Sequence, residues 1–479
     1  MNSQTSNDGL PTSDAILASG RWAFLGLFGG AALWLAVAGI LGLLASLQMH
    51  KPDLFADCAW FTYGRLKAAA TGAFNFGFAV QAAVGVALWL VAILGRTLVK
   101  LPFFSMAAGK LWNIGVLVGV IGVLYGDSTG VEGLEFPRYA AGVLLFGYIG
   151  MAVQVFVTFH NRNVRDLHPS VWFVIGGLFW FAWLYSTAVL LIHVHPVRGI
   201  LIAAVQGWFG NGFFAVGLLP IAIAVLVYLM PALSGGQLPS RATLVFSFWL
   251  LAFLGPWGGI ATGTPLPSWV GATSTALSGL FILPILGVLY SVGAMRRPAN
   301  ASAFESIAWK FMDLSFRCLL LWGVLTVLNT FPLVYRITQF THFTTGMQVL
   351  ALYGVVATAL FAAGYLAMSK LTAPCAKCAL VATIHLHVTR VGILVTVIAL
   401  LVAGLQHGMA LNAEDLTFAE ISAESAMMFR MSTLGELLLA MGGLVFLLYV
   451  AGTTFRTLMA EWSRCEWCAG NAKPAEVAS

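Results

Sequence analysis

The chain has 479 residues, of which 60% are hydrophobic and only 9% carry a charge, and its formal net charge is +6. An ordinary soluble domain carries about 25% charged residues, so this composition excludes a soluble globular enzyme and indicates an integral membrane protein. Lysine and arginine accumulate on the inner side of membrane proteins. The positive net charge therefore reflects topology and gives no evidence for nucleic-acid binding.

Apolar runs of about twenty residues follow one another along nearly the whole chain, and each can cross a hydrocarbon layer of roughly 30 Å as a helix. We therefore predict an all-α integral membrane protein with about twelve transmembrane helices. The predicted spans are 22–48, 66–95, 104–125, 138–159, 170–193, 199–231, 242–264, 269–294, 316–335, 343–369, 380–406 and 432–458.

Basic residues set the predicted orientation of this bundle. With twelve spans, residues such as Arg96, Arg162 and Arg296 fall on one side of the membrane, whereas acids such as Asp53 and Glu135 fall on the other. By the positive-inside rule both termini are cytoplasmic. The first apolar run starts late and has no small-residue cleavage site after it, so we expect it to stay as an anchor.

Composition divides the chain into three parts. Residues 1–20 form a polar cytoplasmic tail, 21–460 the twelve-helix membrane domain, and 461–479 a second cytoplasmic tail. Within the membrane domain, residues 302–317 are predicted to form an amphipathic helix on the inner surface that leads into the ninth span.

Two Cys-x-x-Cys pairs fall on the predicted cytoplasmic face. Cys375 and Cys378 follow the tenth span, and Cys465 and Cys468 follow the twelfth. Four thiolates are the ligand set of a tetrahedral structural zinc site, so we predict that these cysteines bind one zinc ion. The 86 residues between the pairs exceed the spacing of an ordinary zinc ribbon. A one-iron rubredoxin-like site and thiols that are unbound or redox-active remain as alternatives.

The middle of the chain resembles a known family. Residues 208–212 read Trp-Phe-Gly-Asn-Gly, 254–259 read Leu-Gly-Pro-Trp-Gly-Gly, and 265–269 read Pro-Leu-Pro-Ser-Trp. This frame resembles the core of the catalytic subunit of haem-copper oxidases, specifically the cbb3-type cytochrome c oxidases and more distantly the nitric oxide reductases. There it reads Trp-Tyr-Gly-His, Ala-Gly-Pro-His-His and Ala-Leu-Pro-Asp-Trp. Similar motifs at 63–67 and 133–137 extend the resemblance over most of the chain.

The resemblance implies where the family's metal ligands would stand, and other residues occupy most of these positions. Asn211 and the pair Trp257-Gly258 replace the three histidines that hold the active-site copper. Ala70 replaces the helix-two histidine of the low-spin haem, and Leu251 the nearby tyrosine. Asparagine, tryptophan and glycine do not supply the imidazole nitrogens that copper prefers. We therefore expect no active-site copper.

One histidine of the family's haem ligands remains. Residues 342–346 read His-Phe-Thr-Thr-Gly against the family's His-Val-His-Ala-Gly, so His342 matches the axial ligand of the high-spin haem. One imidazole is enough to hold a haem. The alternative is that His342 binds no cofactor.

The resemblance therefore implies a degenerate oxidase-like subunit that reduces neither oxygen nor nitric oxide and serves as a scaffold or partner subunit in a respiratory electron-transfer complex. By analogy its partners are other membrane subunits, such as membrane-anchored cytochrome c or small single-helix subunits, in the bacterial cytoplasmic membrane. Two alternatives stay open. One is a haem-containing terminal oxidase or nitric oxide reductase that uses His342 alone. The other is an ion or proton transporter, whose path would pass near Arg390 in the eleventh span.

Overall fold

The structure is a computed structural model that describes residues 9–238, 240–371, 376–412 and 417–463. These ranges are helical and contain no β-strand, which confirms the all-α membrane fold, and eleven of their helices are long and apolar enough to cross a membrane. The helices are α1 Ser13–Gln48, α2 Tyr63–Leu94, α3 Pro102–Tyr125, α4 Arg138–His160, α5 Pro169–Val194, α6 Ile200–Ser234, the shorter α7 Arg241–Trp257, α8 Ser268–Gly293, α9 Ala303–Leu328, α10 His342–Leu371, α11 Lys377–Leu411 and α12 Ala419–Trp462.

The seventh helix is shorter than the predicted span of 242–264. Its regular part ends at Leu254, and Gly255–Trp257 forms a single 3₁₀ turn. Proline removes a backbone donor and ends regular helices, and Pro256 lies in this turn. Gly259 follows with a positive φ of 90°, a conformation that favours glycine. The chain therefore leaves the helix here and crosses to α8 as a loop.

Two further boundaries differ from the sequence prediction. α1 begins at Ser13, inside the segment predicted as a tail, because the Thr12 hydroxyl accepts a hydrogen bond from the Ala15 amide and caps the helix. The predicted surface helix at 302–317 is the first part of α9, which runs without a break from a capping box at Ser302. α9 then stops at Leu328, and a separate short helix covers Pro332–Thr338.

The first and last helices lie side by side. Near one end of the bundle the Arg21 guanidinium contacts the Glu461 carboxylate at 2.6 Å, and near the other the Ser46 and Thr433 hydroxyls are 2.8 Å apart. α1 begins and α12 ends on the same side of the bundle. α11 packs antiparallel to α12 through small residues, which let backbones approach closely.

Three helices form the centre of the bundle. In α2, α6 and α10 between 83% and 94% of the most apolar window is buried, against at most 56% in the other spans. Each of these three helices contains a π-helical segment, at Ala73–Val80, Phe213–Leu218 and Leu350–Ala357. Such segments occur frequently at functional sites. Here they border the two central cavities.

Candidate functional site

The first cavity lies between α1, α2, α10 and α12 and has a volume of about 160 Å³. His342 and Ala70 both line it, as do two charged side chains, Lys67 and Glu436. Hydroxyl and amide groups complete its polar wall: Ser46, Tyr63, Thr71, Asn75, Thr345, Gln348, Tyr353 and Ser432. This cavity can accept a ligand with both apolar and polar parts.

His342 begins α10 directly after Thr341, whose hydroxyl accepts a hydrogen bond from the Phe343 amide. The imidazole lies edge-on to the Phe429 ring, with 4.7 Å between ring centroids, and 6.3 Å from the His407 ring. The resemblance related His342 to the high-spin haem. The structure places it instead in the cavity of Ala70, the position that the resemblance related to the low-spin haem.

Lys67 and Glu436 line the same cavity, which the sequence analysis did not predict. Lys67 lies one turn before Ala70 on α2, and Glu436 faces α1, where a Cβ added at Gly42 would lie 3.6 Å from its carboxylate. Glu436 is the one acid in the predicted span 432–458. A lone carboxylate in an apolar run is a functional-site signal, so this residue could have been found from the sequence.

The second cavity, of about 320 Å³, lies between α2, α6 and α10 beneath the loop that joins α3 to α4. Its wall contains the amide side chains of Asn75, Gln206, Asn211 and Gln348. The Glu132 carboxylate accepts hydrogen bonds of 3.4 Å from both Gln206 and Gln348, and so joins α6 to α10 through the loop. Four amide side chains from three helices thus line one cavity at the centre of the bundle.

The frame that resembles the copper site forms a tight contact between α6 and the α7–α8 loop. The Asn211 amide donates a 2.7 Å hydrogen bond to the Gly255 carbonyl. A Cβ added at Gly258 would lie 2.7 Å from the Asn211 side-chain oxygen, and one at Gly207 would collide with the Gly259 carbonyl oxygen. The backbone of the loop therefore occupies the space into which ligand side chains would have to project.

Glu135 lies in the α3–α4 loop that covers the second cavity, and it is only 7% exposed. Burial raises the pKa of its carboxyl to about 7. Backbone N–H groups of Glu135 and Gly133 and the charge of Lys67 lower this pKa, and the charge of Glu132 raises it. Oε2 of Glu135 has no hydrogen-bond partner in the described part of the chain. The loop thus carries a carboxyl that titrates near neutral pH.

A third cavity, of about 540 Å³, lies between the α7–α8 loop, α8, α9 and the short helix Pro332–Thr338. Hydroxyl side chains such as Thr262 and Ser274 line it, together with Asn329 and Arg336. Asn329 accepts a hydrogen bond from the Thr338 hydroxyl, and the Arg336 guanidinium donates to the Asn412 side chain at 2.9 Å. Asn329 therefore lies apart from both central cavities and stabilises the junction after α9.

His385 in α11 is fully packed and hydrogen-bonded within the bundle. Its Nδ1 lies 2.9 Å from the Tyr365 hydroxyl of α10, and its ring stacks on Phe446. Phe361 packs edge-on at 4.6 Å. We interpret His385 as a hydrogen-bonded core residue.

Three of the four cysteines predicted to bind zinc, Cys375, Cys465 and Cys468, lie outside the described residues. Cys378 is half-buried in the first turn of α11. Within the described ranges no group of three or more histidine, cysteine or acidic side chains forms a metal site. The zinc site therefore stays a prediction.

Arg390 is exposed on the surface of α11 and lines none of the three cavities. The predicted transport path near this residue has no counterpart in the cavities of the described residues.

Comparison with known proteins places these features in context. Residues 23–438 match the family described as cytochrome c and quinol oxidase polypeptide I. The chain is 23% identical over 470 residues to the cbb3-type cytochrome c oxidase subunit CcoN1 of Stutzerimonas stutzeri, covering 93% of this chain and 94% of that protein. It is 23% identical over 270 residues to a cytochrome c oxidase subunit 1 homolog of Azorhizobium caulinodans, which is 54% of this chain and 48% of that protein. A bacteroid homolog from Bradyrhizobium diazoefficiens is 24% identical over 276 residues, which is 53% of this chain and 49% of that protein.

Proposed function

Since the chain belongs to the cytochrome c and quinol oxidase polypeptide I family, we propose that it is a redox-silent member that acts as a scaffold or partner subunit of a respiratory electron-transfer complex. In this role it keeps the helix bundle of the family and reduces neither oxygen nor nitric oxide. Its partners are other membrane subunits, such as membrane-anchored cytochrome c or small single-helix subunits, in the bacterial inner membrane.

The contact between α6 and the α7–α8 loop is the observation that carries this proposal. Oxygen reduction in the related enzymes needs copper on imidazole ligands, and this frame offers none. Asn211 uses its amide to bind the Gly255 carbonyl, and Trp257 is 48% exposed. Gly258 leaves no space for a side chain beside Asn211. The residues present do not fit copper, and they stabilise a helix–loop junction instead.

Zinc at the cytoplasmic face belongs to the same proposal. Cys378 opens α11, and Cys465 follows α12, the helix that packs against it. Thr389 lies beside Gly442, and Gly392 beside Leu439. In this antiparallel register position 378 of α11 lies beside position 453 of α12. α12 therefore extends about 13 Å past the level of Cys378 before it ends at Trp462. A site shared by both pairs therefore requires the chain after Trp462 to turn back toward α11.

The experiment combines the visible absorption spectrum and the metal content of the chain, purified in detergent from its own membranes. We expect no Soret band, no copper and about one zinc per chain, with the zinc lost in Cys375→Ser. Cys318→Ser is the matched control, because Cys318 is buried within α9 and should not affect zinc. Copper bound in proportion to protein would contradict the proposal.

A second candidate is a haem carrier, and the position of His342 favours it. His342 would hold the iron in the first cavity, which Ala70 also lines, and a bound haem would supply one-electron transfer. In that case the purified protein has a Soret band that disappears in His342→Ala and persists in His407→Ala. A colourless wild-type protein excludes this candidate.

A further inference from the structure

Arg390 is a charged residue at mid-height of the bundle. Thr389 contacts Gly442 of α12, and the neighbouring Gly443 contacts the Leu35 backbone of α1. Leu35 is 14 residues from Arg21 and 15 from His50, where the first charged or titratable groups occur in either direction. At 1.5 Å per residue, Arg390 is therefore about 20 Å along the bundle axis from the levels of Arg21 and His50. An arginine side chain is too short to reach the membrane surface from this depth.

The surface around Arg390 is apolar. Its exposed neighbours on α11 are Val391 and Leu394, and the adjacent face of α12 exposes Leu437 and Met441. The one other polar group on this face is His387, which is exposed one turn before Arg390. We define the α11 face as His387, Arg390, Val391 and Leu394.

The described residues supply no ion pair to Arg390; their three ion pairs are Arg21–Glu461, Arg241–Asp166 and Arg317–Asp313. Glu436 lines the first cavity with Lys67, and Asp313 is paired within α9. The other acids of the described membrane helices lie within about two turns of a helix end: Asp14, Glu305, Glu420, Glu424 and Glu461. Within the described ranges, a second copy of the chain therefore offers no exposed and unpaired carboxylate at this depth.

An arginine that faces hydrocarbon at mid-membrane is costly, and such residues are normally paired or hydrated. A carboxylate at the same depth on a neighbouring helix would remove most of this cost. We propose that the α11 face binds a transmembrane helix of a partner subunit, and that this helix presents an aspartate or glutamate to Arg390. The inference rests on the proposed role as a subunit of a larger complex and names its docking surface.

The first test uses a defined probe. The purified chain and a labelled polyleucine helix of roughly twenty residues are placed in phosphatidylcholine vesicles, and their association is measured by energy transfer. One peptide carries a central glutamate and the other a central glutamine. We expect the glutamate peptide to bind about fivefold more tightly or better, and Arg390→Gln to abolish this difference.

Arg317→Gln is the matched control, because Arg317 is exposed but already has Asp313 as its partner at 2.9 Å. It should leave the preference for the glutamate peptide unchanged. Equal binding of both peptides to the wild-type chain, or an unchanged preference in Arg390→Gln, would overturn the proposal.

The second test uses native membranes. A photoreactive side chain replaces Leu394. The control replaces Leu117 of α3, which is also exposed and lies at a similar depth: it is one turn from Asn113, which accepts a 2.8 Å hydrogen bond from Trp34, the neighbour of Leu35. We expect a cross-link to a partner helix from 394 only. Arg390→Glu should abolish it, and changing the partner's acid to lysine should restore it.

Cross-links from 394 that reach only lipid or a second copy of this chain would overturn the docking surface. A Soret band in the purified chain would instead refute the redox-silent role and leave the docking result intact. The two failures are therefore distinguishable.

Discussion

The contact between Gly207 and Gly259 allows a direct test of how the copper-like frame is built. A methyl group at Gly207 would collide with the backbone carbonyl of Gly259, whereas a methyl group at Gly210 in the same helix would meet no atom within 4 Å. Both glycines lie in the regular part of α6, Ile200–Gly212. Gly210→Ala is therefore the matched control for Gly207→Ala.

Two opposing terms set the expected magnitude. Replacing a helical glycine by alanine stabilises the helix by about 1 kcal/mol at either position. Overpacking against rigid backbone costs about 1–3 kcal/mol. Because only Gly207→Ala carries the second term, we expect it to be less stable than Gly210→Ala by about 1–3 kcal/mol.

The assay is the thermal midpoint of the purified protein in detergent, supported by the free energy of unfolding from a denaturant titration. Gly210→Ala should match or exceed the wild-type midpoint, and Gly207→Ala should fall below it. Equal midpoints for the two variants would refute the tight α6–loop contact and, with it, the structural interpretation of this frame.

Three further predictions concern polar groups. Glu135→Gln should remove a pH dependence of stability: the unfolded carboxyl has a pKa of 4.5 and the folded one about 7, so only the folded protein holds the proton between these values. As the pH rises from 4.5 to 7, the free energy of unfolding of the wild type therefore falls by about 3 kcal/mol. Melting curves at pH 5 and pH 8 measure it, and an unchanged slope in the variant would contradict the assignment. Asn211→Ala should lower stability by about 1–2 kcal/mol, because the Gly255 carbonyl loses its donor; a midpoint equal to that of the wild type would count against this hydrogen bond. Arg21→Gln should lower stability by about 0.5–1 kcal/mol, because its ion pair with Glu461 is partly exposed, and a double-mutant cycle with Glu461→Gln that shows no coupling would exclude this ion pair as a source of stability.

Charged side chains line both central cavities. Lys67 and Glu436 line one cavity, and Glu132 closes the other through two amides. Lys67 and Glu132 are exposed, whereas Glu436 lies within an apolar helix, where a charge is costly unless it faces a partner or a polar cavity. Both cavities are therefore suited to polar contents.

The sequence by itself determined the class of fold and the order of the helices. The hydrocarbon core demands about twenty apolar residues for each crossing, so runs such as 66–95 and 138–159 could be located to within a few residues. The local motifs also predicted that Asn211 and Gly258 stand where the family has copper ligands. The span at 242–264 was overestimated because hydropathy does not register the turn at Pro256.

Only the tertiary structure decided which side chains share a cavity. Whether His342 faces Ala70 or Asn211 depends on the rotation of α10 about its axis, and the sequence leaves this rotation open. Lys67 and Glu436 line the same cavity although they are 369 positions apart in the chain, and no local sequence pattern encodes this proximity. The sequence places Arg390 inside an apolar span but leaves open what it faces, and the packing of α11 on α12 turns it outward. The environment of a side chain is a property of the packed bundle, because the sequence of a helix does not specify which of its faces the neighbouring helices cover.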